Sequence, residues 1–201
     1  MNQKFIFPKN KDNIDQTTYY WFKNGFTDEE ITKIKEYLKS IEFQKGTIFD
    51  SNNGGFNKSV RDSEIKWIKW IKCNDETKWI YEKIYNYAKE ANDSIFEFDL
   101  HFSLDDIQYS KYSLNGKYDW HIDIGSGVNS MRKLSCSVLL NDPDEFKGGE
   151  FEFQTGKFPR NVPLKKGSVL FFPSFFLHRV KEVTSGERES LVLWIGGDSY
   201  K

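Results

Sequence analysis

Cysteine is nearly absent: the 201 residues contain two, Cys73 and Cys136. That excludes a disulfide framework and any Cys-x-x-Cys metal site, and two reduced thiols in an intracellular protein are the reading that remains. Charge of one sign is also lacking, with 29 Lys and Arg against 30 Asp and Glu. Such balance gives no ground for a general nucleic-acid or membrane-surface partner. No apolar run approaches the ~20 residues of a membrane-spanning helix. The stretch Met1–Asn10 has no secretory apolar core, so a soluble, cytoplasmic protein without a membrane partner is expected. Internal repeats are missing, and the only biased segment is a Gly-, Asn- and Ser-rich stretch at 46–60.

Aromatic residues are abundant instead. They make up 17% of the chain, with 18 Phe, 10 Tyr and 6 Trp, although apolar residues overall reach only 38%. Large rings bury much area each, so few residues can still fill the core of one domain.

Residues 19–26 read as a short aromatic strand. Thr27 and Glu30 form a capping-box pattern. Ile31, Ile34, Leu38 and Ile41 follow at helical spacing, which predicts a helix over 28–41. A strand with apolar groups on both faces fits 65–70. Trp79, Ile80, Ile84 and Tyr87 predict a second helix over 75–92. From about residue 96 short β-like runs follow one another, at 96–103, 106–113, 118–123, 133–140, 149–154, 168–172, 176–181 and 189–195. Many short strands at this spacing point to a sandwich or barrel, not a βαβ fold. Helices followed by such a series predict a mainly β protein, a jelly roll with N-terminal supporting helices.

Histidine is rare, and two of the three fall into a pattern. On a strand, His121 and Asp123 would face the same way. His178, from another strand, would complete two imidazoles and one carboxylate. That set binds non-haem Fe(II) on one triangular face and leaves the opposite positions open. His-x-Asp alone is a weak motif, and a hydrogen-bonded pair on a surface strand is its plain alternative. His178 follows the apolar run 169–177 and by itself reads as a core or strand-end histidine. His101 reads as a strand surface residue and not a ligand.

Arg188 adds independent weight. It is one of five Arg beside 24 Lys, and it opens the last predicted strand. Arg188, Ser190, Val192 and Trp194 would share one face, with Leu191, Leu193 and Ile195 on the other. An inward Arg needs an anionic partner. Its fork matches a carboxylate, and a hydroxyl two residues along reaches the same anion. The alternative is a rim-exposed Arg after a turn at Ser185 and Gly186.

Five stretches carry a family resemblance: 112–123 (YSLNGKYDWHID), 140–150 (LNDPDEFKGGE), 163–174 (PLKKGSVLFFPS), 177–180 (LHRV) and 186–190 (GERES). In this order and spacing they resemble the prolyl-4-hydroxylase-like branch of the Fe(II)/2-oxoglutarate-dependent dioxygenases, and bacterial PKHD-type hydroxylases within it. Before them only 60–63 (VRDS) is similar. The resemblance implies a double-stranded β-helix core over 96–201, supported by a helix-rich 1–95, as a single oxygenase domain. It implies that His121, Asp123 and His178 bind Fe(II) and carry catalysis. It further implies that Arg188, Ser190 and Tyr112 hold 2-oxoglutarate, and that Trp194 lies near the metal. O2 is then the second substrate and ascorbate a stimulant. A second tyrosine of the family pattern has no counterpart among 134–140.

The resemblance favours a prolyl residue of a peptide or protein as the group hydroxylated. Trp67, Trp70, Tyr118, Trp120 and Trp194 are available to line a groove for the flat proline ring, or else they fill the core. A small molecule or free amino acid is the alternative substrate on the same fold, and a non-catalytic metal-binding jelly roll the alternative from another class. Nucleic-acid demethylases of this superfamily carry a second Arg six residues beyond the cosubstrate Arg. Here Trp194 stands in that place. Residues 46–60 and Gly125–Met131 are candidate lids, with Gly54, Gly55, Gly125 and Gly127 as pivots; plain surface loops are the other reading.

Overall fold

The computed structural model describes residues 19–47, 57–72, 74–103 and 105–198. Thr27 opens α1 (Asp28–Leu38) as its sequence asks. Its hydroxyl accepts from the Glu30 amide at 3.2 Å, and the Glu30 carboxylate accepts from the Thr27 amide at 2.8 Å. Two donors that a helix start would leave unpaired are thereby satisfied. The same carboxylate takes Lys83 Nζ at 2.6 Å, tying α1 to α2 (Lys78–Ala91). Ile31, Ile34 and Leu38 of α1 join Ile80, Ile84 and Ala88 of α2 in one buried cluster.

The strands are β1 (Tyr20–Phe22), β2 (Gln44–Lys45), β3 (Arg61–Asp62), β4 (Glu64–Ile68), β5 (Phe102–Ser103), β6 (Ile107–Tyr112), β7 (Lys117–His121) and β8 (Arg132–Leu139). After them come β9 (Phe146–Gly148), β10 (Phe151–Phe153), β11 (Arg160–Asn161), β12 (Val169–Pro173), β13 (His178–Val180), β14 (Val183–Gly186) and β15 (Arg188–Gly196). The major sheet has the order β1-β12-β8-β15-β6-β4-β2, with β5 also on β15. The minor sheet runs β11-β10-β13-β7-β3, and β14 pairs with β9. Every pairing is antiparallel, including those of β15 with β6 and β8. This is the jelly-roll architecture that the patterning predicts, with the double-stranded β-helix core that the resemblance implies.

Alternation divides the major sheet into two faces. Tyr109, Cys136, Val138, Phe171, Leu191 and Leu193 pack outward against the helices. Glu189 belongs to this face, where Lys35 of α1 reaches it at 3.0 Å. Tyr112, Leu139, Leu170 and Phe172 point inward and meet Phe151, Phe153 and Val180 of the minor sheet. Burying each such side chain contributes about 1.5–3 kcal/mol. Cys136 is buried in the outer layer and burial pushes its thiol up, which suits an inert reduced residue. Cys73 lies outside the described residues. No helix among the described residues is long and apolar enough to cross a membrane.

Several boundaries differ from the sequence expectation. The strand expected over 96–103 shrinks to β5. A π-helical turn over Asn92–Phe96 extends α2 instead, and Glu97 adopts φ 53°. The cause is Asn92, whose side chain bonds both the amide and the carbonyl of Phe98 at 2.9 Å. Trp70 leaves the sheet in a short 3-10 turn and is 56% exposed. The region before residue 96 is more than helical support, because β1 and β4 are integral to the major sheet and β3 to the minor one. The short strands β9, β11 and β14 carry too few residues for alternation to register.

Candidate metal centre

His121 ends β7 and His178 opens β13, and the two are directly opposite in the ladder. Residues opposite one another in an antiparallel pair project to the same side, so the imidazole centroids lie 4.1 Å apart. Asp123 is not on the strand. Strand alternation would place it beside His121 on one face, but the chain has already left the ladder after His121. Its position is set by Ser174, whose carbonyl accepts from the Asp123 and Ile124 amides at 2.9 and 3.2 Å. The carboxylate then comes within 3.8 Å of His121 Nε2 and 3.6 Å of His178 Nε2. One ligand atom from each of the three residues lies within 4.8 Å of the others, a spacing that fits a single ion.

The donor chemistry fits as well. Nδ1 of His121 is 2.7 Å from the Asp119 carbonyl, and Nδ1 of His178 is 2.8 Å from that of Phe176. A carbonyl only accepts, so each Nδ1 carries the hydrogen and each Nε2 turns its lone pair toward the site. Burial, then the neighbouring His178, pushes the His121 pKa down to about 3. Burial works against ionising Asp123. The two imidazoles and the Ser135 and Trp194 donors outweigh it and hold the carboxyl below its usual range.

These shifts make a stability prediction for the metal-free protein. His121 titrates near 6.5 when unfolded and about 3 when folded. Below pH 6.5 the unfolded chain takes the proton first, so stability present above that pH is lost as pH falls toward 3. Asp123, also depressed, extends the loss below the ordinary carboxylate range. Urea denaturation should show this decline, and His121→Gln should flatten it. An unaltered pH slope in that variant would contradict the His121 contribution.

The three residues line one side of a cavity of about 590 Å³ that also contains Arg188, Ser190 and Tyr112. Arg188 is 2% exposed. Its Nη1 donates to Ser190 Oγ at 3.1 Å, and its guanidinium lies 5.8 Å from the Tyr112 ring centre. Burial lowers its pKa, and Tyr112 is the only opposing influence; among the described residues no carboxylate pairs with it. Its backbone is clamped on both sides by Asn141, which donates to the Glu187 carbonyl at 2.7 Å and accepts from the Glu189 amide at 2.9 Å. Gly149, at φ +66°, leaves room for the side chain: a Cβ there would stand 3.0 Å from Arg188 Cδ.

Of the aromatics singled out in the sequence, Trp67, Tyr118 and Trp194 line the cavity, and Trp70 and Trp120 do not. Tyr118 stacks on His121 with centroids 3.4 Å apart. Trp120 packs beneath Arg179 at 4.4 Å. His101 is exposed beside Asp198 at 3.2 Å, away from the triad. Of the lid candidates, Gly125 and Asn129 reach the cavity, Asn129 from within a 3-10 turn over Gly127–Met131. Thr47 and Val60 line it too, and residues 48–56 lie outside the described residues.

Arg61, Arg132, Gln108 and Ser137 were not foreseen, yet all face this space. Arg132 donates to Asp105 at 2.8 Å and to the Asp123 carbonyl at 3.2 Å, and stacks 3.9 Å over Trp194. A signal existed for the serines. Ser135 and Ser137 alternate with Leu134, Cys136 and Val138, a period of two that sets hydroxyls on the inner face.

Fold and site together define a class, the jelly-roll metalloproteins with a two-histidine, one-carboxylate facial set. Residues 107–196 match the model of the 2OG-Fe(II) oxygenase superfamily. It is 37% identical over 89 residues to a PKHD-type hydroxylase of Prochlorococcus marinus; the match covers 44% of this chain and only 40% of that relative. A PKHD-type hydroxylase of Rippkaea orientalis is 28% identical over 175 residues, 84% of this chain and 74% of the relative. A prolyl hydroxylase from Trichoplax adhaerens, solved in complex with a hypoxia inducible factor oxygen degradation domain peptide fragment, superposes with TM-score 0.72 at 16% identity. That superposition covers 92% of this chain and 86% of the other, and is a likeness of fold.

Proposed function

We propose that this protein is an Fe(II)- and 2-oxoglutarate-dependent hydroxylase acting on prolyl residues of a peptide or protein. One observation carries the cosubstrate assignment: Arg188 is buried, has no acidic partner among the described residues, and faces the same cavity as the triad. An unpaired cation in such a place is costly, and a carboxylate arriving from solution relieves that cost.

In this reading His121, Asp123 and His178 hold the metal through two Nε2 atoms and a carboxylate oxygen. Bound Fe(II) and 2-oxoglutarate supply oxidation in which O2 and the 2-oxo acid yield succinate, CO2 and a hydroxylated C–H bond. The protein supplies orientation and exclusion of water. Arg188 grips the distal carboxylate with its fork. Ser190 and Tyr112 add hydroxyl hydrogen bonds. The register row Trp67, Gln108, Val192 and Ser137 floors the cavity beside them. Asp119 and Phe176 keep both imidazoles in the ligating tautomer through their carbonyls.

The prolyl assignment is supported by the PKHD-type relatives, by the fold likeness to a prolyl hydroxylase, and by aromatic walls at Trp67, Tyr118 and Trp194. One observation favours a second reading, a substrate bringing its own carboxylate, such as a free amino acid. Arg61 is 6% exposed on the cavity wall and donates to Ser63 Oγ and the Thr47 carbonyl, with no carboxylate partner among the described residues. Mass spectrometry decides between them. The protein is incubated with Fe(II), ascorbate and 2-oxoglutarate, with either proline-containing peptides or free amino acids. A gain of one oxygen on proline in peptides is expected; oxygenation of free amino acids alone would replace the peptidyl reading.

A further inference from the structure

The register between β8 and β15 ends at Ser190, which stands opposite Leu139. One step further, Leu140 still donates its amide to the Glu189 carbonyl at 2.9 Å. Opposite residues of a regular antiparallel pair exchange both bonds. The Glu189 amide instead donates to Asn141 Oδ1 at 2.9 Å, and Asn141 Nδ2 donates to the Glu187 carbonyl at 2.7 Å. A side-chain amide thus continues the ladder past the end of β8. The residue between its two bonds is Arg188. On the other edge of β15, Arg188 pairs with Tyr112 of β6.

This place asks for an amide. One flank of Arg188 needs an acceptor and the other a donor, and the asparagine side chain offers both on one planar group. Asn141 is 2% exposed, where an unbonded amide would be costly. The residues after it hold it still. Asp142 caps the short turn Pro143–Glu145, accepting from the Asp144 amide at 3.0 Å, and its own amide donates to the Glu145 carboxylate at 2.9 Å. The same connection meets Arg188 again at Gly149, which leaves the clearance its Cδ needs. From the helix side, Lys35 at 3.0 Å and Tyr109 at 2.9 Å fix the Glu189 carboxylate.

We propose that Asn141 is a positioning residue for the cosubstrate: by fixing the backbone on both flanks of Arg188 it aims the guanidinium, and so sets the preference for a 2-oxo acid with a distal carboxylate over one without. Arg188 has no acidic partner among the described residues to steer its side chain, and Ser190 takes one Nη1 bond. The direction of its fork therefore depends on the strand end from which it grows. A bidentate grip needs both donors in place, and a small rotation of that strand end loses one of them. The metal ligands would not follow, because His121 and His178 stand on the minor sheet and β15 belongs to the major one. Asn141 itself does not line the cavity and acts only through Arg188. The inference rests on the assignment of Arg188 to 2-oxoglutarate made above.

The test compares two ligands on the full, Fe(II)-loaded chain without O2: 2-oxoglutarate, and 2-oxopentanoate, in which a methyl group replaces the distal carboxylate. Calorimetry and the visible band of a chelated 2-oxo acid give both affinities. Asn141→Ala should bind 2-oxoglutarate roughly tenfold more weakly, the scale of one hydrogen bond to a charged group. Its affinities for 2-oxopentanoate and for Fe(II) should stay at the wild-type values, so the ratio between the two acids falls. Asn141→Asp keeps the volume and the bond from Glu189 but cannot donate to Glu187, and its ratio should fall as well; this variant carries the test if alanine prevents folding. Leu140→Ala, which removes packing beside Asn141 and leaves the backbone bonds, should lower the melting temperature and keep the wild-type ratio. A wild-type ratio in Asn141→Ala or Asn141→Asp would show that the amide only closes a strand end, and the inference would be wrong. Equal weakening toward both acids would mean general loosening and overturn it too. A wild-type protein that does not prefer 2-oxoglutarate would remove the Arg188 assignment itself, and this inference with it.

Discussion

Alanine at His121, Asp123 or His178 is expected to abolish 2-oxoglutarate-dependent succinate formation while leaving the fold in place. The loss should exceed about 100-fold in each case, since even the outer partners of metal ligands typically cost 10–100-fold when removed. The fold should survive because the three side chains look into a cavity, while the ladders that carry them bond through backbone. His178 gives up the most packing, standing 4.7 Å from Phe172 and 5.4 Å from Phe151 between ring centres. Its variant should therefore be the least stable of the three, by about 1–3 kcal/mol as for a typical destabilising point substitution. Asp123→Ala removes a buried charge but frees the Ser135 hydroxyl, two effects of opposite sign. Succinate assays beside thermal unfolding check this. A surface-pair or core-histidine role predicts the reverse pattern, with stability lost and turnover kept.

Arg188→Met should separate function from stability in the opposite direction. The wild-type guanidinium is buried without an acidic partner among the described residues. Replacing buried charge with well-packed apolar volume is often neutral or stabilising by about 1–4 kcal/mol. The cosubstrate-free variant should therefore melt at or above the wild-type temperature. Its 2-oxoglutarate affinity should fall at least about 100-fold, because two hydrogen bonds to a carboxylate are lost at about 1.5–3 kcal/mol each. At 100 times its dissociation constant a ligand stabilises by about 2.7 kcal/mol; wild-type protein should show that rise and Arg188→Met should not. Arg188→Lys should fall between them, as a point charge lacks the planar fork. Unchanged cosubstrate affinity in Arg188→Met would place the carboxylate elsewhere.

Much of this site was legible because strands announce their faces. Alternation along 188–195 separated Arg188, Ser190, Val192 and Trp194 from Leu191, Leu193 and Ile195, and the cavity and the helix-side core divide them that way. The two helices were legible because their apolar residues recur at the α-helical period over several turns. Asp123 was named for a reason that does not hold, since its side chain turns inward from a loop pinned by Ser174, a contact 51 positions along the chain that no local pattern reports. Arg61, Arg132 and Gln108 became part of the cavity through strand neighbours distant in sequence, which residue order alone does not reveal. The π-turn after α2 escaped for a related cause. One asparagine side chain decides it, and residues 96–103 otherwise carry strand-like composition.

The central claim is that one cavity binds Fe(II) through His121, Asp123 and His178 and 2-oxoglutarate through Arg188. Anaerobic titration of the protein with Fe(II) and then 2-oxoglutarate, followed by admission of O2, tests it most directly. The expected result is about one Fe(II) per chain, as for a single facial triad, a chelate band from the 2-oxo acid only after metal is present, and succinate once O2 enters. Binding of 2-oxoglutarate that is indifferent to Fe(II), with no succinate on aeration, would contradict it.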